Sequence, residues 1–309
     1  MFIKPPALRP GDTVAIIAPA SNVKRSDLEA GAAALRCAGY VPLYLDSILE
    51  QDLYFAGSID RRLRELEEMF TRDDIRAIIC ARGGYGSNHL LEKIDLGKIK
   101  THPKLFVGYS DLTALMTYFY DALGLVTFHG PMAAKDWAHA DGVDLASWQS
   151  ALSGAAQWNL GANSGAHGLA NGTAEGILYG GCLSILVASL GTPYEIRTEE
   201  KILFIEDVAA KPYQIDRMLM QLKLAGKLAG VRGLIFGEML NCVQNANQPY
   251  TLEEVIMRIV GDLGVPAAYG LRSGHVTGNN ITLPLGVRTR LIVQGKDVSL
   301  EFLEPAVTT

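Results

Sequence analysis

The segment KLFVGYSDLTALMTYFYDAL, residues 104–123, joins a short apolar run to a longer stretch with helical periodicity. Residues 105–107 are typical of a buried strand, and the residues that follow Asp111 predict a helix. The chain must therefore turn sharply at Ser110. Serine is a preferred helix N-cap, yet a turn at the carboxyl end of a strand can also expose a hydroxyl above the sheet. Ser110 is thus either the cap of the helix or a nucleophile held at the turn.

The same change from strand to helix recurs through the first half of the chain. The strand-like segments are DTVAIIAPAS, YVPLYL and IRAIICARGG, and the helix-like segments are DLEAGAAALRCAG, SIDRRLRELEEMFTR and SNHLLEKI. Ser26 and Glu29 match a capping box at the start of the first helix, and the second has the pattern of a charged amphipathic helix. The alternation predicts an α/β fold with right-handed crossovers and a parallel sheet covered on both faces.

Composition changes after residue 150, where Gly, Ala, Asn and Ser dominate and no long periodicity survives. Because 309 residues are enough for two domains, we place a boundary in this region. The prediction is an N-terminal domain over residues 1–160, a linker over 161–176 and a C-terminal domain over 177–309.

The second half mixes strand and helix patterns. KILFIEDV and VRGLIFGEML are strand-like, and PYQIDRMLMQLKLAG is helix-like. Thr251 and Glu254 form a second capping box, and the tail alternates apolar and polar residues around a turn at 294–297, as an antiparallel hairpin would.

Charge and composition exclude several classes of protein. The net charge of −5 and the lack of a basic cluster argue against nucleic-acid binding. The N-terminus has no continuous apolar segment of a signal peptide, and the apolar runs are too short to span a bilayer, so we expect a soluble, cytoplasmic protein with no membrane partner. The four cysteines (Cys37, Cys80, Cys182 and Cys242) lack CxxC spacing and no HExxH is present, so we expect core cysteines, no metal site and no cofactor.

Two further side chains stand where catalytic partners for a serine would be needed. Glu206 ends the apolar strand KILFIE and must find a donor, either a catalytic histidine or a structural cation, and Asp207 is the competing carboxylate. His275 lies in the glycine-rich loop LRSGHVTGNN, and His129 is its rival. A triad of Ser110, Glu206 and His275 is possible, although triads are recognised by geometry and not by chain order.

The loop ARGGYGSN, residues 81–88, is the remaining candidate. Its glycines allow backbone N–H groups to approach a ligand, so the loop is either an anion or oxyanion site or a tight turn. It lacks G-x-G-x-x-G spacing and a P-loop lysine, which disfavours a nucleotide site. GYSDL also departs from the hydrolase pattern G-x-S-x-G, because Leu112 replaces the second glycine.

Taken as an ordered set, ARGGYG, GYSDLTAL, HGPM, GGCLSIL, LGTPYE, the LFIEDV…KPYQIDRML region and LRSGHV…ITLPLG resemble the LD-carboxypeptidases of the S66 serine peptidase family, which trim muramoyl tetrapeptides during peptidoglycan recycling. The resemblance runs from about residue 8 to residue 303. It implies an N-terminal Rossmann-like domain, a C-terminal swivelling-type mixed β/α domain, a site in the crevice between them, and homodimers. Cys182 departs from the asparagine that is common at its position.

The resemblance also implies roles for individual residues. The nucleophile falls on Ser110, the glutamate and histidine of the triad on Glu206 and His275, and the oxyanion donors on the backbone N–H groups of Gly84 and Asp111. The expected substrate is a small peptide that ends in a free carboxylate.

For that carboxylate our hypothesis is a contact from Arg82 or from the backbone of the loop around Gly83 and Tyr85, with structural pairing of Arg82 as the alternative.

Two other functions stay open. A microcin-immunity peptidase of the same family would cleave aminoacyl-nucleotides and need an aromatic surface, for which Trp137, Trp148 and Trp158 are the candidates. A non-catalytic two-domain ligand-binding protein would use Ser110 only as a cap.

Overall fold

A computed structural model of the chain describes residues 2–243 and 248–309, which form two compact units. The first unit comprises the described residues of Met1–Ala155 together with Gly278–Gly286 and Pro305–Thr309, and the second those of Ala156–Thr277 together with Val287–Glu304.

The described strands, numbered along the chain, are β1 (Thr13–Ile17), β2 (Val41–Leu43), β3 (Ile75–Cys80), β4 (Leu105–Gly108), β5 (Thr127–His129), β6 (Trp158–Leu160), β7 (His167–Ala170), β8 (Gly172–Cys182), β9 (Lys201–Glu206), β10 (Gly233–Gly237), β11 (Ala267–Leu271), β12 (Leu283–Leu285), β13 (Arg288–Gln294) and β14 (Asp297–Phe302). The α-helices are α1 (Arg25–Cys37), α2 (Ile59–Thr71), α3 (Leu96–Thr101), α4 (Thr113–Leu123), α5 (Leu145–Leu152), α6 (Leu183–Ala188), α7 (Pro212–Leu224) and α8 (Leu252–Val260).

The first unit is built on a sheet with the strand order β12-β5-β4-β3-β1-β2. Strands β1 to β5 are parallel, as the alternation of strand and helix patterns predicts, and β12 runs antiparallel at the edge. The apolar runs of β3 and β4 are almost entirely buried, which a parallel sheet between helices requires. All the parallel strands therefore end at one edge, where ligands bind in such sheets.

The second unit has a mixed sheet with the order β6-β14-β13-β8-β9-β10-β11-β7. Its centre, β8 to β11, is parallel, and the outer strands pair antiparallel. The predicted turn at 294–297 is confirmed, because Gln294 pairs with Asp297 where β13 meets β14. The mixed α/β class with two sheets is confirmed.

The segment predicted as a linker, residues 161–176, instead supplies β7 and the first part of β8 to the second sheet. Its glycines serve close packing: a side chain at Gly168 would overlap the carbonyl of Gly295. The tail differs as well, because β12 leaves the second unit and pairs with β5, Leu283 opposite His129. Such long-range pairing has no local signal.

Of the two predicted capping boxes, the one of Thr251 and Glu254 is confirmed at the start of α8. The one of Ser26 and Glu29 is wrong, because α1 begins at Arg25 and the Ser26 hydroxyl instead binds the Asp27 carboxylate, 3.1 Å away. Among the described residues, no helix combines the length and apolar character that crossing a membrane would require.

Candidate active site

Ser110 lies at the turn that follows β4 in the first unit. Tyr109 is extended, with φ −158° and ψ −169°, whereas Ser110 has a φ of +63° and opens a single 3₁₀ turn before α4. A left-handed conformation costs a non-glycine residue about 1 to 2 kcal/mol. No side-chain cap is made here, so the interpretation of Ser110 as a helix cap is wrong. The strained strand-to-helix turn is instead the conformation in which hydrolases hold a nucleophile, although the second glycine of their motif is missing.

The glycine loop that follows β3 packs directly against this serine. A Cβ atom added to Gly83 would lie 2.8 Å from Cβ and 3.0 Å from Oγ of Ser110. Gly84 has a φ of +100°, and a Cβ there would overlap the Ser21 hydroxyl. Ser21 in turn fixes the loop, because its N–H donates to the Gly83 carbonyl and its Oγ accepts from the Tyr85 N–H at 3.0 Å. Only glycines allow the backbone to approach the serine this closely.

The backbone N–H groups of Gly84 and Asp111 have the properties of oxyanion donors. Within the described parts of the chain, neither is hydrogen-bonded to another residue. Asp111 stands in the first turn of a helix, where N–H groups have no intrahelical acceptor. Its carboxylate accepts the Ser87 N–H at 2.8 Å, and its carbonyl accepts the Ser87 hydroxyl at 2.7 Å. These contacts engage the oxygens of Asp111 and leave its N–H available.

Arg82 and Tyr85 flank the two glycines and are exposed. Arg82 Nη1 donates to the Asn22 carbonyl at 3.3 Å, and no carboxylate in the described residues lies within ion-pair distance of this guanidinium. The alternative of a structural ion pair for Arg82 is therefore not realised. The Tyr85 hydroxyl lies 3.3 Å from His89 Nε2.

Glu206 and His275 meet in the second unit. Glu206 ends β9 and is fully buried, and His275 lies in the loop after β11. Because β9, β10 and β11 are parallel, their carboxyl ends share one edge of the sheet. Glu206 Oε2 accepts both His275 Nδ1–H, at 2.7 Å, and the His275 backbone N–H, at 3.0 Å. Gly237 at the end of β10 makes room, since a Cβ there would lie 2.7 Å from Glu206 Cβ.

This pair fixes the chemistry of the imidazole. A neutral histidine that donates through Nδ1 carries its lone pair on Nε2, which is the nitrogen with which a general base would accept a proton. The loop that carries it is braced by Glu238, which accepts the backbone N–H of Thr277 at 3.0 Å and its hydroxyl at 2.5 Å. The hydrogen bond from Nδ1 holds the ring against the Glu206 carboxylate, and the one from the backbone N–H holds the loop there.

The rival residues have structural roles. Asp207 accepts the N–H of Ser184, at the start of α6, and the N–H of Val208, both at 2.8 Å. Burial raises the pKa of the Asp207 carboxyl. His129 is fully buried within β5, and its ring centre lies 5.8 Å from that of Tyr109. Glu206 and His275 thus bind each other, whereas the contacts described for Asp207 and His129 are with other residues.

The three buried cysteines offer no competing nucleophile. Burial raises the pKa of the Cys80 and Cys182 thiols well above the usual range and that of Cys242 to about 11, so these side chains stay protonated near neutral pH. Cys182 lies beside Glu206 in the parallel ladder. The expectation of a core position is wrong for Cys37, which is exposed. In the described ranges, no three His, Cys, Asp or Glu side chains are grouped as metal ligands.

The tryptophans proposed for an aromatic surface are engaged in packing. Trp137 and Trp148 are buried and pack edge to face, 5.1 Å between ring centres. Trp158 stacks on Phe302 at 4.1 Å. Trp137 and Trp148 therefore present no ring face to a nucleobase.

Sequence reasoning missed the buried charges of helix α2. Arg61, Arg62 and Glu65 are 4%, 1% and 2% exposed, although the pattern predicts a solvated charged face. No local signal marked them, because the four charged positions of RRLRE fall on one side of a helix, as they would in a solvated face.

The predicted site residues thus form two groups. Ser110, Gly83, Gly84 and Asp111 are together in the first unit, and Glu206 with His275 in the second.

Comparison with known proteins identifies the family to which the chain belongs. Residues 14–130 match the model of the LD-carboxypeptidase N-terminal domain, and residues 175–291 match that of the C-terminal domain. The chain is 40% identical over 301 residues to a probable murein peptide carboxypeptidase of Bacillus subtilis (strain 168), covering 96% of this chain and 94% of the relative. It is 30% identical over 327 residues to the microcin C7 self-immunity protein MccF of Escherichia coli, covering 94% and 93%.

Among solved structures, the crystal structure of muramoyltetrapeptide carboxypeptidase from Oxalobacter formigenes superposes with a TM-score of 0.85 at 28% identity, covering 96% of this chain and all of that one. Both domain models match in the expected order, and the relatives are aligned over nearly their whole length. The chain therefore belongs to the LD-carboxypeptidase family of S66 serine peptidases.

Proposed function

We propose that this protein is a serine LD-carboxypeptidase that releases the terminal D-alanine of murein tetrapeptides. The hydrogen bond between His275 Nδ1 and Glu206 Oε2 carries the proposal, because it turns the imidazole into an oriented general base. The left-handed turn at Ser110 supports it as the position of the nucleophile. The names of the murein peptide carboxypeptidase and muramoyltetrapeptide carboxypeptidase relatives support the substrate.

In the proposed acylation step, Ser110 Oγ attacks the carbonyl carbon of the L,D-peptide bond. His275 Nε2 takes the hydroxyl proton, and the imidazolium that forms is stabilised by the Glu206 carboxylate. The same proton then passes to the departing nitrogen, so D-alanine leaves as an amine and the remaining peptide stays as an ester on Ser110. General-base help of this kind accelerates such reactions by about 10² to 10⁴.

The charge that develops on the substrate oxygen requires donors that are already in place. We assign the N–H groups of Gly84 and Asp111 to this task, each contributing about 3 to 4 kcal/mol to the lowering of the barrier. Water activated by His275 then hydrolyses the ester and restores the serine. Arg82, which has no carboxylate partner among the described residues, is proposed to bind the substrate carboxylate.

Mass spectrometry of a muramoyl tetrapeptide incubated with the protein tests the function directly. We expect the loss of one alanine, and none with Ser110→Ala, which should keep the far-ultraviolet circular dichroism of the wild type. Full D-alanine release by the Ser110→Ala variant would disprove the assignment of the nucleophile. An unchanged tetrapeptide with the wild type would disprove the substrate.

The similarity to a microcin C7 self-immunity protein supports a second candidate, cleavage of an aminoacyl-nucleotide conjugate by the same groups. The packing of Trp137 and Trp148 disfavours these rings as its nucleobase platform. The ratio of kcat/KM for the tetrapeptide and for an aminoacyl-nucleotide, measured side by side, distinguishes the two activities.

We further propose that the protein acts in the cytoplasm, in peptidoglycan recycling, and as a homodimer. The second and third proposals rest on the family resemblance, and the first on the shortness of the apolar runs in the sequence. Cell fractionation tests the first, the turnover of labelled murein in a deletion strain tests the second, and light scattering on a size-exclusion column tests the third.

A further inference from the structure

Helix α2 places the guanidinium of Arg62 in the interior beside the glycine loop. Arg62 is 1% exposed, and a buried guanidinium is stable only if neighbouring groups replace water. Nη1 donates to the carbonyls of Pro19, at 2.9 Å, and Gly86, at 2.7 Å, and the Phe55 ring lies 4.7 Å away. One nitrogen therefore joins the loop after β1 to the glycine loop.

Asp111, the residue that follows the nucleophile, binds the same end of the glycine loop. Burial lowers the pKa of Arg62, and the negative charge of Asp111 is the largest influence that opposes this shift. Asp111 is 2% exposed and binds Ser87 through both its carboxylate and its carbonyl. The end of the glycine loop is thus held by Arg62 at Gly86 and by Asp111 at Ser87.

The glycine loop needs such contacts to keep its backbone in one conformation. Gly84 and Gly86 have φ values of +100° and +122°, and glycine has the greatest backbone freedom of any residue. An oxyanion donor contributes fully only if it stays within about 0.5 Å of its productive position. Stiffness at Gly84 must therefore come from contacts made by neighbouring groups.

We propose that Arg62 is a positioning residue of the oxyanion hole, which aligns the N–H group of Gly84 through the Gly86 carbonyl. The inference rests on the proposed function and deepens it. In this proposal Arg62 does not touch the substrate. Its substitution should therefore weaken stabilisation of the transition state, in which the oxyanion forms, more than it weakens substrate binding.

Arg62→Met tests the proposal, because it keeps an unbranched apolar stem and removes the charge and both hydrogen bonds. We expect kcat for D-alanine release to fall about 10- to 100-fold and KM to stay within about threefold. A boronic acid analogue of the murein tripeptide forms a tetrahedral adduct with a nucleophilic serine, so its Ki should rise by the same factor as kcat falls. The Kd of the tetrapeptide should be the same for the Ser110→Ala variant and for the double variant that combines Ser110→Ala with Arg62→Met.

Arg61→Met is the matched control. Arg61 is also buried on α2, but it binds Glu65 and the carbonyls of Ala18 and Ala56 instead of the glycine loop. We expect a similar loss of stability with kcat and the boronate Ki within about threefold of the wild type.

The proposal is overturned if folded Arg62→Met keeps kcat within about threefold, or loses kcat with no rise in the boronate Ki. If that variant does not fold, Arg62→Lys decides. An ammonium cannot reproduce the planar geometry of the guanidinium, so kcat and boronate affinity should fall together by about 3- to 10-fold, and wild-type values would overturn the proposal. Absence of D-alanine release by the wild type would instead refute the proposed function.

Discussion

The contact between Gly83 and Ser110 allows the position of the nucleophile to be tested by one methyl group. Gly83 does not have a positive φ, so alanine at this position suffers no penalty from its own backbone conformation. The new Cβ atom would lie 2.8 Å from Ser110 Cβ, 3.0 Å from Oγ and 3.3 Å from the Asp111 nitrogen. Gly83→Ala therefore acts on the nucleophile and on one proposed oxyanion donor.

The size of the effect follows from these distances. Ordinary contacts of a Cβ atom begin at 3.4 Å, so the serine and the loop must separate by about 0.6 Å. A misplacement of 1 Å at a catalytic group costs on the order of 10²-fold in rate. We therefore expect kcat to fall about 10- to 100-fold, and the overpacking to lower the free energy of unfolding by about 1 to 3 kcal/mol.

Release of D-alanine, followed continuously with D-amino acid oxidase, gives kcat and KM for the variant. Gly261→Ala is the matched control, because Gly261 has φ −64° and ψ −22°, and the nearest neighbour of an added Cβ is the flexible end of Met257 at 3.5 Å. The control should keep wild-type kinetics. A folded Gly83→Ala enzyme with kcat within about twofold of the wild type would refute the reasoning, because the serine would then tolerate displacement.

Other predictions concern strain, the triad, linkage and substrate binding. Ser110→Gly and Ser110→Ala should both be inactive, but chemical denaturation should show the glycine variant to be about 1 kcal/mol more stable, since only alanine suffers strain at a φ of +63°; equal stabilities would contradict the strain. Glu206→Gln should lower kcat about 10³- to 10⁴-fold, whereas Asp207→Asn should cost less than about tenfold, and the reverse order would make Asp207 the triad carboxylate. Burial raises the pKa of Glu65 from 4.5 to about 7, so between these pH values the native state binds more protons than the unfolded state, and stability falls as the pH rises. The free energy of unfolding of the wild type relative to Glu65→Gln should fall by up to about 3 kcal/mol over that window, and a constant difference would contradict the raised pKa. Arg82→Ala should lower kcat/KM about 10- to 100-fold, chiefly through KM, and an unchanged KM would remove Arg82 from the carboxylate site.

Much of the candidate site could be predicted from the chain because parallel strands end at one edge of a sheet. Residues that follow β3 and β4 in the first unit, and β9 and β11 in the second, had to lie at such edges. The apolar runs located these strands, and the residues after them were therefore the candidates for a site. Which of the two carboxylates and which of the two histidines form the pair was decided by contacts that no local pattern encodes.

The limits of local patterns are clear in three places. A capping box was realised at Thr251 but not at Ser26, because the same motif competes with other local hydrogen bonds. The strand β12 pairs with β5, more than 150 residues earlier in the chain, where no turn signal could announce it. The charges of α2 are buried because the loops after β1 and β3 present carbonyls to them.

The sequence by itself determined the parallel order of strand and helix, the family, and the residue types that carry the proposed chemistry, because these depend on periodicity and on motifs within short windows. Only the tertiary structure decided that Ser110 adopts a left-handed turn, that Gly83 must lack a side chain, and that Arg62 lies inside the molecule. Strain and buried charge persist only where many distant contacts together outweigh their cost, and such contacts exist only in the folded chain.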